Sequence, residues 1–267
     1  MIARKRFGQH FLDSAQVIAD IVAAVQAQPQ DQVVEIGPGR GALTHGLYGS
    51  SERLTLIEID RDFVPALERR FPRAVLHSVD VLDFDFASLP EGQLRVVGNL
   101  PYNISTPLLL HLMDFSDRIE DMHVMLQREV AQRIVAPPGT KAWGRLSVLL
   151  QYYCEVEWLF DISPDCFTPP PEVWSSVIRL RPKQGNRAPV DLVAFDQVLK
   201  TVFGQRRKQL GNTLKALLPL DIWQAEGVQI DFTARAESVT LETFLSLAGA
   251  LSRRKSIEVV ERGVQAL

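Results

Sequence analysis

The sequence predicts an α/β fold: a doubly wound, mostly parallel sheet with an antiparallel closing strand, followed by a small all-α C-terminal domain. Between residues 32 and 135, short apolar runs alternate with helical segments of about ten residues, which is typical of parallel strands joined by helices. After the segment 181–189, which contains two prolines and a glycine, only helical patterns follow. We therefore place a first domain at 1–183, in which 1–13 is a basic N-terminal segment, and a helical domain at 190–267.

Each predicted strand is a short, largely apolar run, and each predicted helix has apolar residues at helical spacing. The strands lie at 32–36, 54–59, 75–79, 94–97 and 122–127, and a closing hairpin pairs 155–162 with 175–180. The helices lie at 14–28, 42–49, 61–71, 105–113, 129–135 and 144–153, and then at 192–203, 209–217, 221–226 and 238–252. Side chains that can accept backbone N–H groups stand at several helix starts, and we expect caps from Asp13 or Ser14, from Asp60, and from Ser105 or Thr106.

Composition restricts the class of protein. The chain has 267 residues, of which 46% are hydrophobic and 23% charged, as in a globular protein. No apolar run reaches the roughly 18 residues of a membrane helix, and no apolar segment follows the basic N-terminus, so we expect neither a membrane span nor a secretory signal. Cys154 and Cys166 are typical of buried thiols in a reducing compartment, which predicts a cytoplasmic protein. The five histidines have no metal-ligand spacing, and we expect no metal.

Charge is distributed unevenly along the chain, although the net charge is only −3. Residues 31–90 contain ten acids and six arginines, whereas 200–216 contain five basic residues and no acid. We expect Arg206, Arg207 and Lys208 to bind nucleic-acid phosphate; the alternative is a solvated helix face. The basic segment 4–12 has interleaved aromatics and is either a flexible tail or a lid that orders on a ligand.

A glycine-rich turn, Glu35-Ile36-Gly37-Pro38-Gly39-Arg40-Gly41, joins the first strand of the sheet to a helix. Glycines let a backbone pass close to a ligand, and Gly37, Gly39 and Ala42 loosely fit the dinucleotide pattern G-x-G-x-x-A. Glu35 is an acid within a buried strand, which predicts contact with a cationic or amine-bearing ligand.

Two further acids stand at the ends of neighbouring strands. Glu58 comes about twenty residues after the glycines, where an acid can accept both hydroxyls of a ribose. Asp80 can accept the exocyclic amine of an adenine, although a loop cap is the alternative for this residue. With the glycine turn, these acids predict an adenosine-bearing cofactor at the carboxyl ends of the strands.

The fourth strand ends in Asn99-Leu100-Pro101-Tyr102, a tetrad whose simplest interpretation is a turn. The same residues suit a nucleobase amine, which reacts when two acceptors hold its N–H groups, and the carbonyls of the Asn99 side chain and the Leu100 backbone can be those acceptors. Pro101 restricts Leu100 and so aims its carbonyl, and Tyr102 offers a face on which an extruded base stacks. Beside an adenosine-bearing cofactor, the tetrad predicts S-adenosylmethionine, whose sulfonium methyl group would meet the held nitrogen.

Five motifs together resemble the bacterial 16S ribosomal RNA adenine dimethyltransferases, a family of class I S-adenosylmethionine-dependent enzymes with a Rossmann-like fold. The resemblance covers nearly the whole chain. The motifs are the glycine turn 35–41, the tetrad 99–102, Phe7-Gly8-Gln9-His10-Phe11-Leu12, Phe167-Thr168-Pro169-Pro170-Pro171-Glu172-Val173 and Phe203-Gly204-Gln205-Arg206-Arg207-Lys208-Gln209-Leu210.

The resemblance implies that a monomer dimethylates N6 of two adjacent adenosines in a hairpin near the 3′ end of 16S rRNA, within the immature 30S subunit. Domain 1–183 would then be the catalytic domain that binds S-adenosylmethionine, and domain 190–267 would bind RNA or the ribosome. Phe167 would sandwich the target adenine with Tyr102. By position, the cofactor contacts would be His10, Leu12, Gly37, Glu58, Asp80 and Asn99, to which the chemistry of the turn adds Glu35 and Gly39.

Two positions depart from the family pattern: His10 stands where Asn is usual, and Glu172 stands where Lys is expected. An imidazole could add pH dependence near neutrality, and a carboxylate at 172 would repel phosphate. Three alternatives stay open. They are a large-subunit rRNA methyltransferase of the macrolide-resistance type, a small-subunit assembly factor and, more distantly, a nicotinamide dehydrogenase, for which the tetrad would have no use.

Overall fold

The main sheet contains five strands from residues 32–127 and two antiparallel strands from residues 154–182. A computed structural model of the chain describes residues 10–185 and 187–265, and only the backbone of 258–265. Within these residues, the strands of the main sheet are β2 Gln32–Ile36, β3 Arg53–Ile57, β4 Val75–His77, β5 Leu94–Asn99, β6 Ile119–Gln127, β7 Cys154–Ile162 and β9 Ser175–Pro182. They lie side by side in the order β4-β3-β2-β5-β6-β9-β7.

The strands from β2 to β6 all pair in parallel. All five residues of β2 are buried, as expected for a central strand covered on both faces. Ile36 at the end of β2 is level with Ile57 of β3 and with Gly98 of β5. The carboxyl ends of these three strands therefore meet at one edge of the sheet.

The closing hairpin supplies the antiparallel strand. β9 runs antiparallel to both β6 and β7, so Ser175 at its start is level with Gln127 and with Ile162. The predicted fold class, a mostly parallel sheet with an antiparallel closing strand and a helical C-terminal region, is confirmed.

Helices follow most of the strands, close to the predicted positions. Ser14 caps the first helix, since its Oγ accepts from the N–H of Val17. Asp60 caps the turn before the third helix rather than the helix itself, because its Oδ1 accepts from the N–H of Asp62. The helices are α1 Ala15–Val25, α2 Ala42–Ser50, α3 Val64–Arg70, α4 Ser105–Met113, α5 Arg128–Val135, α6 Arg145–Tyr153, α7 Leu192–Phe203, α8 Leu210–Leu214, α9 Leu220–Ala225 and α10 Leu241–Gln265.

A second, two-stranded sheet has no counterpart among the predicted elements. It pairs β1 Phe11–Leu12 with β8 Phe167–Thr168 in antiparallel fashion, so that Leu12 faces Phe167. Both strands contribute buried side chains to the core cluster around α1, α2 and α3. Because this core holds β1, the residues at the start of the described chain have a fixed position beside the sheet.

Within the described residues the chain forms two compact units: 10–135 with Tyr153–Gly185, and Ala136–Tyr152 with 187–265. The segment Ala136–Tyr152, which the sequence groups with the first domain, belongs to the helical unit. Its bonds explain this, because the indole N–H of Trp143 donates to the carbonyl of Val239 and the N–H of Gly139 donates to the carbonyl of Glu237.

The described residues lack two features that would change the class of protein. None of their helices combines the length and the hydropathy that a membrane crossing requires. Nor do they contain a group of three or more His, Cys, Asp or Glu side chains placed to hold a metal ion.

Candidate active site

A cavity of about 330 Å³ opens at the carboxyl ends of β2, β3 and β5, within the first unit. Five stretches of the chain line it: one precedes the main sheet, and each of the others lies at the end of a different strand. They are His10–Leu12, the glycine turn from Glu35 to Arg40 with the start of α2, the segment 57–59, Val79–Val81, and the tetrad with Asn103 and Ile104. The glycine turn and the tetrad, which lie about sixty residues apart in the sequence, therefore share one space.

The glycine turn is held open by its own backbone. Gly37 and Gly39 have φ angles of +67° and +52°, a region that favours glycine. A Cβ on Gly37 would lie 3.9 Å from the carbonyl oxygen of Asn99, and one on Gly39 would lie 3.4 Å from the ring of Phe11. The turn is thus directly adjacent to the tetrad on one side and to β1 on the other.

Glu58 fixes the shape of this turn. Its Oε2 accepts from the N–H of Gly39 at 2.9 Å, and its Oε1 accepts from the N–H of Asp60 at 2.8 Å. Burial raises the pKa of the Glu58 carboxyl above its ordinary value, against the lowering effect of these hydrogen bonds. Each carboxylate oxygen keeps a second lone pair, so the residue that shapes the turn can also accept from a ligand hydroxyl.

Glu35 contributes a buried acidic side chain to the site. It is buried at the floor of the cavity, and its Oε2 has no hydrogen-bond partner among the described residues. Burial raises the pKa of this carboxyl to about 8. An orphaned acid beside a glycine cradle fits a ligand that brings its own positive charge, as S-adenosylmethionine does.

Asp80 forms the loop cap that was the alternative interpretation of this residue, and its contact with an adenine amine stays a prediction. Its Oδ1 caps the short turn Val81–Asp83 by accepting from the N–H of Leu82 at 3.0 Å. It also lines the cavity, at the end of the segment that follows β4. The cap therefore fixes the carboxyl group at the rim where an adenine amine could reach it.

The tetrad is tied to its surroundings through both of its polar side chains. The Nδ2 of Asn99 donates to the backbone carbonyl of His10 at 3.0 Å. The hydroxyl groups of Tyr102 and Ser175 are hydrogen-bonded, with their oxygens 2.7 Å apart. Burial raises the pKa of the Tyr102 phenol, so this side chain stays neutral. Leu100 and Pro101 line the cavity between the two.

His10 packs directly against the tetrad. Its ring stacks on that of Tyr102, with centroids 5.7 Å apart and planes inclined by 26°. Its Nδ1 donates to the backbone carbonyl of Pro169 at 2.8 Å, so that nitrogen carries a proton. The residue that departs from the family pattern thus positions both Asn99, through its backbone, and Tyr102, through its ring.

Comparison with known proteins decides the family. The family model described as ribosomal RNA adenine dimethylase matches residues 2–252. The chain belongs to the ribosomal RNA adenine dimethylase family. A curated relative, "Ribosomal RNA small subunit methyltransferase A" from Pseudomonas aeruginosa, is 50% identical over 256 residues, which is 94% of this chain and 95% of the relative. The predicted enzyme class and its methyl donor, S-adenosylmethionine, are thereby confirmed.

Solved structures agree on the fold. A dimethyladenosine transferase from Plasmodium falciparum matches with a TM-score of 0.77 over 92% of this chain and 98% of that one. The 23S rRNA methyltransferase ErmE matches with a TM-score of 0.66 over 91% of this chain and 99% of that one. Both are 23% identical to this dimethylase and show that the three chains share one architecture.

Phe167 does not lie on the cavity wall of this dimethylase. Its side chain is 3% exposed and belongs to the core cluster, and its backbone pairs with Leu12. The structure therefore brings Asn99, Leu100, Pro101 and Tyr102 together at the cavity, whereas Phe167 lies in the core cluster.

The basic stretch of the dimethylase lies in the helical unit, and its members differ. The Nη2 of Arg206 donates to the carbonyls of Lys141 and Trp143, at 2.8 and 3.0 Å, so this guanidinium supports the fold. All three residues are exposed, so Arg206 differs from Arg207 and Lys208 by these backbone bonds and not by burial.

Several residues at the site had no signal of their own in the sequence. Arg40 lies over the ring of Phe11, with its Cζ 4.1 Å from the centroid, at the rim of the cavity. Ser175 is fully buried and meets Tyr102 only because β9 pairs with β6. The hydroxyl contact depends on the hairpin register, which the sequence does not state.

Proposed function

We propose that this dimethylase methylates N6 of two adjacent adenosines in a hairpin near the 3′ end of 16S rRNA, within the immature 30S subunit. The small-subunit name of a relative that is half identical over nearly the full length of both chains supports this choice over a large-subunit substrate. The observation that carries the proposal is the cavity that the tetrad and the glycine turn share: the backbone carbonyl oxygen of Asn99 lies 3.9 Å from the position that a Cβ on Gly37 would take. An amine held by the tetrad thus faces a ligand held by the glycine turn.

The residues that would hold S-adenosylmethionine surround this cavity. Glu58 would accept the ribose hydroxyls with its remaining lone pairs, and Asp80 would accept the adenine amine. Glu35 would face the positive charge of the ligand. The backbones of Gly37 and Gly39 would pass beside it, with His10 and Leu12 closing the opposite side.

Asn99 and Leu100 hold the target amine in this proposal. Because the Nδ2 of Asn99 is bonded to the carbonyl of His10, its Oδ1 is the atom left to accept an amine hydrogen. The Leu100 carbonyl accepts the second one, aimed by Pro101. After the first methyl group is added, one of these two hydrogen bonds is lost, and the pocket must tolerate rotation of the amine before the second.

The target adenine stacks on Tyr102. Since His10 covers one face of that ring, we place the base on the other face. Phe167 is proposed as the second platform, which requires its ring to leave the core position that it occupies here. The base reaches this site only after leaving its helix, as enzymes that modify bases require.

The chain contributes alignment rather than acid–base chemistry. When bound, S-adenosylmethionine supplies an electrophilic methyl group whose transfer to N6 leaves a neutral thioether. Asn99 and Leu100 keep the nitrogen lone pair directed at the cavity, and holding two reacting groups in line can lower a barrier by about 7–11 kcal/mol. The proton that N6 loses is released to water.

Each of the two domains binds a different part of the reaction complex. Residues 1–183, apart from the segment 136–152 that belongs to the helical unit, bind the methyl donor and the target adenine, and residues 190–267 bind RNA or the ribosome through Arg207 and Lys208, with Arg206 as their structural support. We propose that the enzyme acts as a monomer in the cytoplasm.

Mapping the modified base tests the proposal. The protein is incubated with labelled S-adenosylmethionine and undermethylated small subunits, and the labelled nucleotides are located by nuclease mapping and mass spectrometry. We expect two adjacent N6,N6-dimethyladenosines near the 3′ end of 16S rRNA and no label in protein-free large-subunit RNA. Label in the large-subunit RNA alone would contradict the proposal, and an Asn99→Ala variant serves as the inactive control.

A further inference from the structure

The connection before β9 carries two adjacent exposed apolar side chains. Val173 is 44% exposed and Trp174 is 46% exposed. Two of the other tryptophans, Trp143 and Trp223, are almost completely buried. Tryptophan is enriched at contact surfaces, and the exposure of this one beside Val173 is the feature from which we argue such a surface.

The backbone of Trp174 is fixed beside the tetrad. Its carbonyl accepts from the N–H of Arg128 at 2.9 Å. The next residue, Ser175, is fully buried in the register of β9 and bonds the hydroxyl of Tyr102 at 2.7 Å. Consecutive Cα atoms are about 3.8 Å apart, so the exposed indole begins one residue away from the group that steadies the target-base platform.

We propose that Trp174 is a second stacking platform, which binds the unpaired nucleobase next to the target adenosine. This rests on the proposed function. Extruding one adenosine of an adjacent pair removes a stacking partner from its neighbour, and an exposed indole on the residue next to the Tyr102–Ser175 contact can replace that partner. Every base has a π-face, so the platform holds either neighbour in turn while the other adenosine is methylated.

The charges around the indole favour a base over a phosphate. Glu172 is exposed two residues before Trp174, and its carboxylate would repel a backbone phosphate but accept an exocyclic amine. The half-exposed guanidinium of Arg128 is engaged by Asp161, 3.3 Å away. The charged residues next to Trp174 are therefore an acid and an arginine already paired with an acid, which suits a nucleobase better than a phosphate.

Kinetics of three variants test the proposal on undermethylated small subunits. We expect Trp174→Ala to raise KM for the subunits about 10-fold with little change in kcat, because stacking is lost before chemistry. Trp174→Phe keeps an aromatic face and should stay within about 3-fold of the wild type. Val173→Ala, the matched control, should behave as the wild type, and all three should bind S-adenosylmethionine normally. An unchanged KM for Trp174→Ala, or an equal loss for Trp174→Phe, would overturn the proposal.

Binding of a stem-loop RNA with two adjacent loop adenosines tests whether Trp174 contacts a nucleobase or another partner. Single abasic sites are placed at each loop position, and affinity is measured for the wild type and Trp174→Ala. We expect an abasic site at either of the two adjacent adenosines to weaken the wild type about 10-fold, because the remaining adenosine then lacks its neighbour, but not to weaken Trp174→Ala further. Independent, multiplying losses at every position would overturn the proposal. So would normal binding of every RNA by Trp174→Ala together with a raised KM on subunits, since the indole would then contact a ribosomal protein. A wild type that binds these RNAs but methylates neither RNA nor subunits would instead contradict the proposed function.

Discussion

The side-chain amide of Asn99 is bonded to the backbone of His10, with its Nδ2 3.0 Å from the carbonyl oxygen. Because the Nδ2 donates to His10, the Oδ1 is the atom of this amide that remains to accept a hydrogen bond from a ligand. The bond also joins the segment that leads into β1 to the residue that would hold the target amine. The position of His10 is therefore coupled to the orientation of the Asn99 amide.

Asn99→Ala should abolish most turnover while leaving the fold and the binding of S-adenosylmethionine largely intact. The variant removes one of the two acceptors for the amine, and loss of one such preorganised group commonly lowers kcat by about 10²–10³-fold. The measurement is single-turnover methylation of undermethylated small subunits, with ligand affinity from calorimetry. Gln30→Ala, which removes an exposed amide from the loop before β2, is the matched control and should stay near the wild type. Near wild-type turnover by Asn99→Ala would show that the tetrad does not hold the amine.

Glu58→Gln should loosen the glycine turn and weaken the binding of S-adenosylmethionine. A glutamine has one acceptor where the carboxylate bonds two backbone N–H groups, those of Gly39 and Asp60. An unsatisfied buried donor costs about 1–3 kcal/mol, which predicts an affinity roughly 5- to 100-fold lower and a reduced Tm. Glu68→Gln removes an exposed carboxyl from α3 and should change neither. Unaltered affinity and Tm in Glu58→Gln would show that these two bonds do not shape the site.

Glu35 should make both stability and ligand binding depend on pH. Its pKa is raised to about 8 by burial, so its contribution to stability is fully present below the unfolded value near 4.5 and is lost as pH rises through about 8. Denaturation of the free protein between about pH 5 and pH 8.5 should show this loss, and Glu35→Gln should flatten it.

The ligand should reverse the preference of the same carboxyl. A sulfonium favours the ionised form, so affinity for S-adenosylmethionine should rise with pH over the same interval, with protons released on binding. Calorimetry in buffers of different ionisation enthalpy measures that release. Proton release by Glu35→Gln equal to that of the wild type would mean that another group titrates.

Much of the fold was predictable because the relevant signals are local. Gln32–Ile36 and Ser105–Met113 have the bounds that the sequence predicts, since apolar periodicity within one segment determines them. The strand-end positions of Glu58, Asp80 and Asn99 were predictable too, because parallel strands bring their carboxyl ends to one edge. The two-stranded sheet of β1 and β8 was not predictable, since its pairing joins residues about 155 positions apart.

The partners within the site could not be read from the sequence. The sequence predicts that Glu58 accepts ribose hydroxyls. It does not show that both carboxylate oxygens also accept backbone N–H groups. Arg206 was grouped with its two neighbours by charge, yet it bonds carbonyls more than sixty residues away. Such bonds depend on which backbone groups tertiary packing leaves unpaired, a property that no single segment encodes.

The basic stretch should act through two of its three residues. Arg207 and Lys208 are exposed, so replacing both with Gln should weaken RNA binding and reduce the slope of log affinity against log salt by about 1–2. Arg206→Gln should instead lower the Tm, because two backbone carbonyls lose their donor. Filter binding over a range of salt concentrations, with thermal unfolding alongside, separates the two effects. If Arg207→Gln/Lys208→Gln keeps the wild-type slope, this stretch does not contact phosphate.

Phe167 presents two roles that one substitution can separate. Its ring is buried in the core, so Phe167→Ala should cost about 3–5 kcal/mol of stability whatever its role in catalysis. Phe167→Leu keeps most of the volume and should cost less than about 1.5 kcal/mol, but it removes the flat face on which an adenine would stack.

Phe63→Leu is the matched control, since Phe63 lies in the same cluster and its ring packs edge-on against Phe11. If Phe167 moves out to sandwich the base, Phe167→Leu should lose about tenfold or more in kcat/KM for the small subunit and Phe63→Leu should not. Equal activity of the two variants would restrict Phe167 to the core and leave Tyr102 as the aromatic platform for the target adenine.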